Sequence, residues 1–226
     1  MPGDNEYRLL TLADVEQAAG VMSQAYQDDP LVNFMLPKQR SRIKTLYKFF
    51  HIIGEFSIKN QRVYGTGNPL QGVAYWQFPG QADLSISLKS LAKLVPLLFT
   101  SYTTGYLRAR AVTSQIDVLH KKYAPEAHFY LDNLGVLPSA RGKGLSSRLL
   151  RPVLAMADAQ KTIAYTDTVT EANVAFYEHF GFECLEACPV QGTGLIVWGL
   201  LRTPRYTYTP DHNAQPAPFS RCARPL

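Results

Sequence analysis

Residues 134–150 run Leu-Gly-Val-Leu-Pro-Ser-Ala-Arg-Gly-Lys-Gly-Leu-Ser-Ser-Arg-Leu-Leu, and this order of residue types leaves the chain few choices. An apolar strand end passes into a basic glycine turn, which passes into a helix start. Gly142 and Gly144 let the backbone approach a ligand closely, while Ser146 and Ser147 keep the first helical turn small. The amides of such a turn lack intrahelical partners and carry partial positive charge suited to a pyrophosphate. Arg141 and Lys143 add full charges beside them. The segment predicts a pocket for a phosphorylated cofactor.

Two familiar phosphate loops do not fit these letters. A P-loop needs Gly five residues before a Gly-Lys-Ser/Thr, but Leu137 stands there and Gly144 follows Lys143. The dinucleotide fingerprint aligns only as Gly142, Gly144 and Ser147, and it belongs in a first βαβ unit rather than past the middle of a chain. On the glycines alone, a nucleotide-dependent enzyme stays the weakest of the readings.

Arg141, Gly144 and Ser146 instead resemble the Arg/Gln-x-x-Gly-x-Gly/Ala signature of the GNAT superfamily of acyl-CoA-dependent N-acetyltransferases, with Ser146 replacing the last small residue. Asn173-Val-Ala-Phe-Tyr-Glu-His-Phe-Gly-Phe182 resembles the second signature of that family, an Asn followed four residues later by Tyr and then by Gly-Phe. The resemblance spans roughly residues 7–201. Tyr130-Leu131, Leu134-Gly135-Val136, Pro138, Arg141 to Gly144 and Phe176-Tyr177-Glu178 look most like the puromycin N-acetyltransferase-like branch.

The elements read along the chain agree with one α/β domain over residues 1–201. Strands are expected at 7–11, 62–64, 72–78, 128–136, 162–166, 182–187 and 194–200, and helices at 13–26, 37–59 and 142–159. Asp28-Asp29-Pro30 reads as the end of the first helix. Thr168 and Glu171 resemble a capping box that opens the helix carrying Asn173 and Tyr177. Between strands, residues 84–122 form a helical insertion, with Leu84, Leu88, Leu91, Val95 and Leu98 at helical spacing; Lys89, Lys93 and Pro96 argue against a membrane span. A wall for the acceptor pocket and a dimer face or extra core layer are equally weighted roles for it. Residues 202–226 hold five prolines and read as a tail. The resemblance implies a mixed, mostly antiparallel central sheet flanked by helices.

It also implies a chemistry. Acetyl transfer to an amine needs a neutral amine, an oxyanion-stabilising group and a proton for the leaving thiolate. If the strand ending at Val136 splays from its neighbour, free amides of Leu134, Gly135 and Val136 hold the thioester and pantetheine. Arg141, Gly142, Lys143, Gly144, Leu145 and Ser146 then grip the pyrophosphate, and Asn173 bonds the cofactor. Tyr177 resembles the family tyrosine beside the sulfur and is assigned as general acid. Asp132 and Asp167 are the candidate bases; a role in pairing or capping is as well supported for each. Asp132, two residues before Leu134, is expected on the same strand face as it. Asp29 lies where the family fold implies acceptor contacts, although ending a helix before Pro30 is its simpler role.

Composition sets the remaining bounds. A net charge of +5 suits an anionic cofactor, and the run Lys38, Arg40, Arg42, Lys44 and Lys48 reads as a solvated helix face, so neither nucleic acid nor a membrane is expected as partner. A homodimer stays open. Cys184, Cys188 and Cys222, with no secretory leader, suggest a cytoplasmic protein; no histidine completes a metal set around Cys184 and Cys188. Cys184 lacks an evident activating base, which favours direct attack in a ternary complex over an acetyl-cysteine route. The expectation is therefore an acetyl-CoA-dependent N-acetyltransferase of a small-molecule amine, with no metal. The alternatives are a non-catalytic acyl-CoA-binding module and a protein N-acetyltransferase.

Overall fold

The computed structural model describes residues 7–60, 62–80 and 101–205. The first half of the expected insertion and nearly all of the proline-rich tail lie outside them. The strands are β1 (Tyr7–Leu9), β2 (Val63–Thr66), β3 (Gly72–Gln77), β4 (Phe129–Val136), β5 (Ala164–Thr168), β6 (Glu183–Val190) and β7 (Leu195–Arg202). The helices are α1 (Val15–Ala25), α2 (Pro30–Met35), α3 (Gln39–Lys59), α4 (Ser101–Tyr123), α5 (Leu145–Ala159) and α6 (Glu171–Glu178). The strands form one sheet in the order β1-β2-β3-β4-β5-β7-β6. Only β4 and β5 run parallel; every other neighbouring pair is antiparallel.

Alternation along the strands sends side chains to two cores. On one face, Val63, Val73 and Tyr75 pack with Val15, Ala18, Ala19 and Met22 of α1 and with Leu46 and Phe50 of α3. Their spacing along α1 is the apolar stripe of a helix on a sheet. On the other face, Ala74, Trp76, Phe129, Leu131 and Leu200 meet Leu149, Leu150, Val153 and Leu154 of α5 and Tyr177 of α6. The far end of the first face is closed by α4, whose Val112 and Leu119 pack on Val190 and Val197.

Three local outcomes differ from sequence expectation. Asp29 does not merely stop α1: its Oδ1 accepts from Leu31 N at 2.9 Å and Val32 N at 3.2 Å, capping a separate helix with Pro30 at its first position. The N-cap of α6 is Thr170, not Thr168; Thr168 ends β5, and its Oγ1 accepts instead from Thr170 N and Asn173 Nδ2. The third concerns β4. Tyr75 pairs with Asn133 and Trp76 with Leu131, so Asp132 is an extra residue in a bulge. Leu134 then packs into the core under α5, whereas Gly135 backs onto Met22 and Ala25 of α1. Alternation counted in steps of two therefore fails across Asp132, and Asp132 and Leu134 do not share a face.

Helix α4 crosses α2 with little room. A Cβ built on Gly105 would stand 2.6 Å from Met35 O, a backbone atom with no soft way to retreat. Gly105→Ala should lose about 1–3 kcal/mol to this overlap, offset by about 1 kcal/mol of helix propensity. The expected net loss of about 1 kcal/mol is readable as a lower urea midpoint at unchanged m-value.

Candidate active site

The sheet opens in its middle. β4 and β5 pair only through Phe129 with Ala164, Tyr130 with Tyr165, and Leu131 with Thr166. Beyond that, β4 stays with β3 as far as Val136 and β5 stays with β7 as far as Thr168, so the two parallel strands part company. A cleft of about 720 Å³ lies between them, lined by Leu134, Gly135, Val136, Arg141, Ser146, Asn173 and Tyr177 toward one end and by α2, α3 and α4 toward the other. The bulge at Asp132 sits at the fork.

The turn after β4 has the geometry a phosphate group requires. Gly142 has φ 79° and Gly144 φ 74°, left-handed values that a side chain disfavours, and a Cβ at either would meet only open space. These glycines therefore serve backbone direction rather than close packing. Gly144 caps α5, leaving the Leu145, Ser146 and Ser147 amides at its N-terminus without intrahelical partners. The Leu145 side chain is buried in the core, so only its amide faces that end. Arg141 and Lys143 are exposed beside the turn, and Arg141 Nη2 donates to Ala25 O at 3.3 Å. An anionic, extended molecule fits this arrangement: anion donors at the turn, then a strand edge released from its parallel neighbour.

Tyr26, the residue that ends α1, reaches that edge. Its Oη accepts from Leu134 N at 3.2 Å, so this amide is not free as expected. The Tyr26 ring leans on Phe50 at 5.4 Å between centroids, and burial first, then the neighbouring Tyr177, holds its phenol far above the usual range.

The candidate acid and the two candidate bases all line the cleft. Tyr177 is buried, bonds Thr166 and keeps its proton more tightly than an ordinary phenol, chiefly because of burial. Asp167 at the end of β5 accepts from Tyr130 Oη at 2.9 Å. Desolvation raises it to about 7; the Tyr130 bond opposes this, and the charges of Asp132 and Asp117 add to it. Asp132 is raised to about 6, again by desolvation, against a bond from Asn133; it is exposed to the cleft along one side and walled by protein on the others. Asp29 also lines the cleft, and burial raises its carboxyl despite the two amides that hold it. Asn173 lines the cleft while spending one amide proton on Thr168 Oγ1.

Residues 105–184 match the family model of the acetyltransferase (GNAT) domain. The fold is that of a GNAT acetyltransferase. Over 180 residues the chain is 25% identical to an uncharacterized N-acetyltransferase of Schizosaccharomyces pombe, covering 75% of this chain and 70% of that protein. A second relative, a probable serine/threonine-protein kinase of Dictyostelium discoideum, is 22% identical over 190 residues; the match takes in 77% of this chain but only 20% of that protein's length. Among solved structures, the chain is similar to the histone acetyltransferase HPA2 and related acetyltransferase from Corynebacterium glutamicum, with 20% identity, a TM-score of 0.59, and 90% and 98% of the two chains covered. It is similar also to arylalkylamine N-acetyltransferase 2 from Aedes aegypti, with 16% identity, a TM-score of 0.61, and 90% and 100% covered. At these identities the structural likeness speaks to the fold.

Within the GNAT fold, the cleft gathers Tyr177, Asp132, Asp167, Asn173, Arg141, Ser146, Leu134, Gly135, Val136 and Asp29, while Gly142, Lys143, Gly144 and Leu145 form the turn at its mouth. The part of the insertion that is described contributes Thr113 and Ile116 of α4 to the wall. Cys184 is buried in the core under α5, and Cys188 gives its thiol to Glu186 Oε1. Among the described residues, no three His, Cys, Asp or Glu side chains are placed to hold a metal ion. No described helix is long and apolar enough to cross a membrane.

Proposed function

We propose that this protein is an acetyl-CoA-dependent N-acetyltransferase whose acceptor is a small-molecule amine attacking the thioester directly. The observation that carries the reading is the convergence of Asp132, Asp167 and Tyr177 on one cleft, opened where β4 leaves β5. Acetyl-CoA supplies the activated acetyl group. The turn from Arg141 to Ser146 would hold its phosphates, and the edge from Leu134 to Val136, with Asn173, its pantetheine arm. The likeness to the puromycin N-acetyltransferase-like branch rests on the residues quoted for it, and the acceptor is argued from the cleft instead.

The chain's own residues then divide the proton work. Asp167 or Asp132 takes a proton from the ammonium so that the nitrogen lone pair is free; the C–N bond forms and the C–S bond breaks. Tyr177 gives its phenolic proton to the departing sulfur and is reprotonated from the cleft. Carboxyls lifted to about 6 and 7 suit the first task, because a base near the working pH accepts a proton readily.

Mixing the protein with acetyl-CoA and a broad amine panel should release free CoA thiol only when an amine is present. No binding of acetyl-CoA by calorimetry overturns the reading, as does binding without turnover on any amine or peptide N-terminus. The pH dependence has a definite sign. The base must be ionised, so kcat/KM should fall as pH drops through about 7 to 6, with apparent values belonging to the Asp132–Asp167 pair. Asp167→Asn should leave a single limb nearer 6. A limb near 4 in the wild type would mean that neither carboxyl is the base.

A further inference from the structure

We propose that the acceptor is an amine carrying no carboxylate, set on an apolar body; this rests on the N-acetyltransferase reading and narrows its substrate. Five charged side chains line the cleft among the described residues, and four are aspartates: Asp28, Asp29, Asp132 and Asp167. The fifth, Arg141, stands at the glycine turn with its guanidinium on Ala25 O, where the cosubstrate phosphates have first claim on it. Leu31, Met35, Phe49, Phe50, Ile116 and Val169 give the same cleft an apolar lining.

An α-amino acid brings its carboxylate within two bonds of the reacting nitrogen. In this cleft that carboxylate would meet like charges and apolar lining, and among the described lining residues the one cation is Arg141 at the glycine turn; such juxtaposition works against binding. An ammonium gains from the same field. Its arrival also relieves the wall, since the carboxyls of Asp29, Asp132 and Asp167 are all held above their ordinary range by desolvation. The apolar wall favours a hydrocarbon or aryl body over a chain of further charges. The supplying reaction is then of one class: decarboxylation of an amino acid, which removes the group that the described aspartates disfavour.

The test uses matched pairs that differ only in the carboxylate, tryptamine with tryptophan and phenethylamine with phenylalanine, together with the methyl ester of each amino acid. We expect kcat/KM at least about 100-fold higher for each amine, and recovery of most of that factor in the ester, where the charge is masked. Calorimetry of the same compounds on the protein with bound CoA reads the preference without turnover. Asp28 is exposed at the rim, so Asp28→Lys should fold normally and shrink the amine-to-acid ratio several-fold. Equal use or equal binding of amine and amino acid, an ester no better than the free acid, or no binding of any of these amines overturns the proposal. Failure of the parent reading looks different: amines would bind in preference to acids while no acetyl group moved.

Discussion

Replacing Tyr177 by Phe should lower kcat by about 100-fold or more while leaving the affinity for acetyl-CoA within about twofold. The substitution removes one oxygen and keeps the ring, which packs in the core with Phe176 and Phe182 at centroid distances of 5.1 and 5.7 Å. Stability therefore changes little. The lost proton donor matters only while sulfur is leaving, so the deficit should appear in single-turnover kinetics and not in a binding isotherm. Unchanged turnover would reduce Tyr177 to a core aromatic tied to Thr166.

The second large effect is structural. Arg202 at the end of β7 is 3% exposed, and both its terminal nitrogens meet Asp158 of α5, at 2.8 and 2.7 Å, while Nε donates to Phe180 O. Asp158 takes a further bond from Arg205 N at 2.6 Å. Asp158→Ala leaves a buried guanidinium with one backbone partner, and should cost about 2–4 kcal/mol, seen as a Tm lower by roughly 5–15 °C. Replacing both partners by Asp158→Leu and Arg202→Met should cost less than the single change, since no charge is then left stranded. A scan showing the double variant worse than the single one would count against a stranded charge as the cause. Burial raises Asp158, yet the bonds from Arg202 and Arg205 outweigh it and its carboxyl sits below the ordinary range. The pair therefore supports the fold above about pH 4 and loses that support on further acidification.

Sequence legibility followed the range of the interaction. The glycine turn and the Asn173–Tyr177 helix were readable because each is a local statement: a few residues at fixed spacing determine a turn or a helix face. The splay of β4 from its neighbour came only through family resemblance, and which neighbour it pairs with in parallel was not readable. The bulge at Asp132 was not readable, since it exists through pairing with Tyr75 and Trp76 on a strand far upstream, and it overturned the face assigned to Asp132. Asp28-Asp29-Pro30 showed a different limit. An acidic residue before proline both ends one helix and begins another, and only the folded chain shows the second role. Tyr26 and Tyr130 were missed as site residues because their importance lies in where a hydroxyl lands, on Leu134 N and on Asp167, which no spacing rule contains.

The fork between β4 and β5 has one more consequence. A strand with unpaired amides and carbonyls is ordinarily a hazard at the rim of a sheet, where another chain can add to it. Here the parted ends of β4 and β5 lie in the middle of the sheet on either side of the cleft, with β1 and β6 as the outer strands. On the proposed reading, the amide-bearing arm of the cosubstrate takes up this hydrogen-bonding capacity, which then serves a ligand within the sheet instead of inviting a neighbouring chain at its rim.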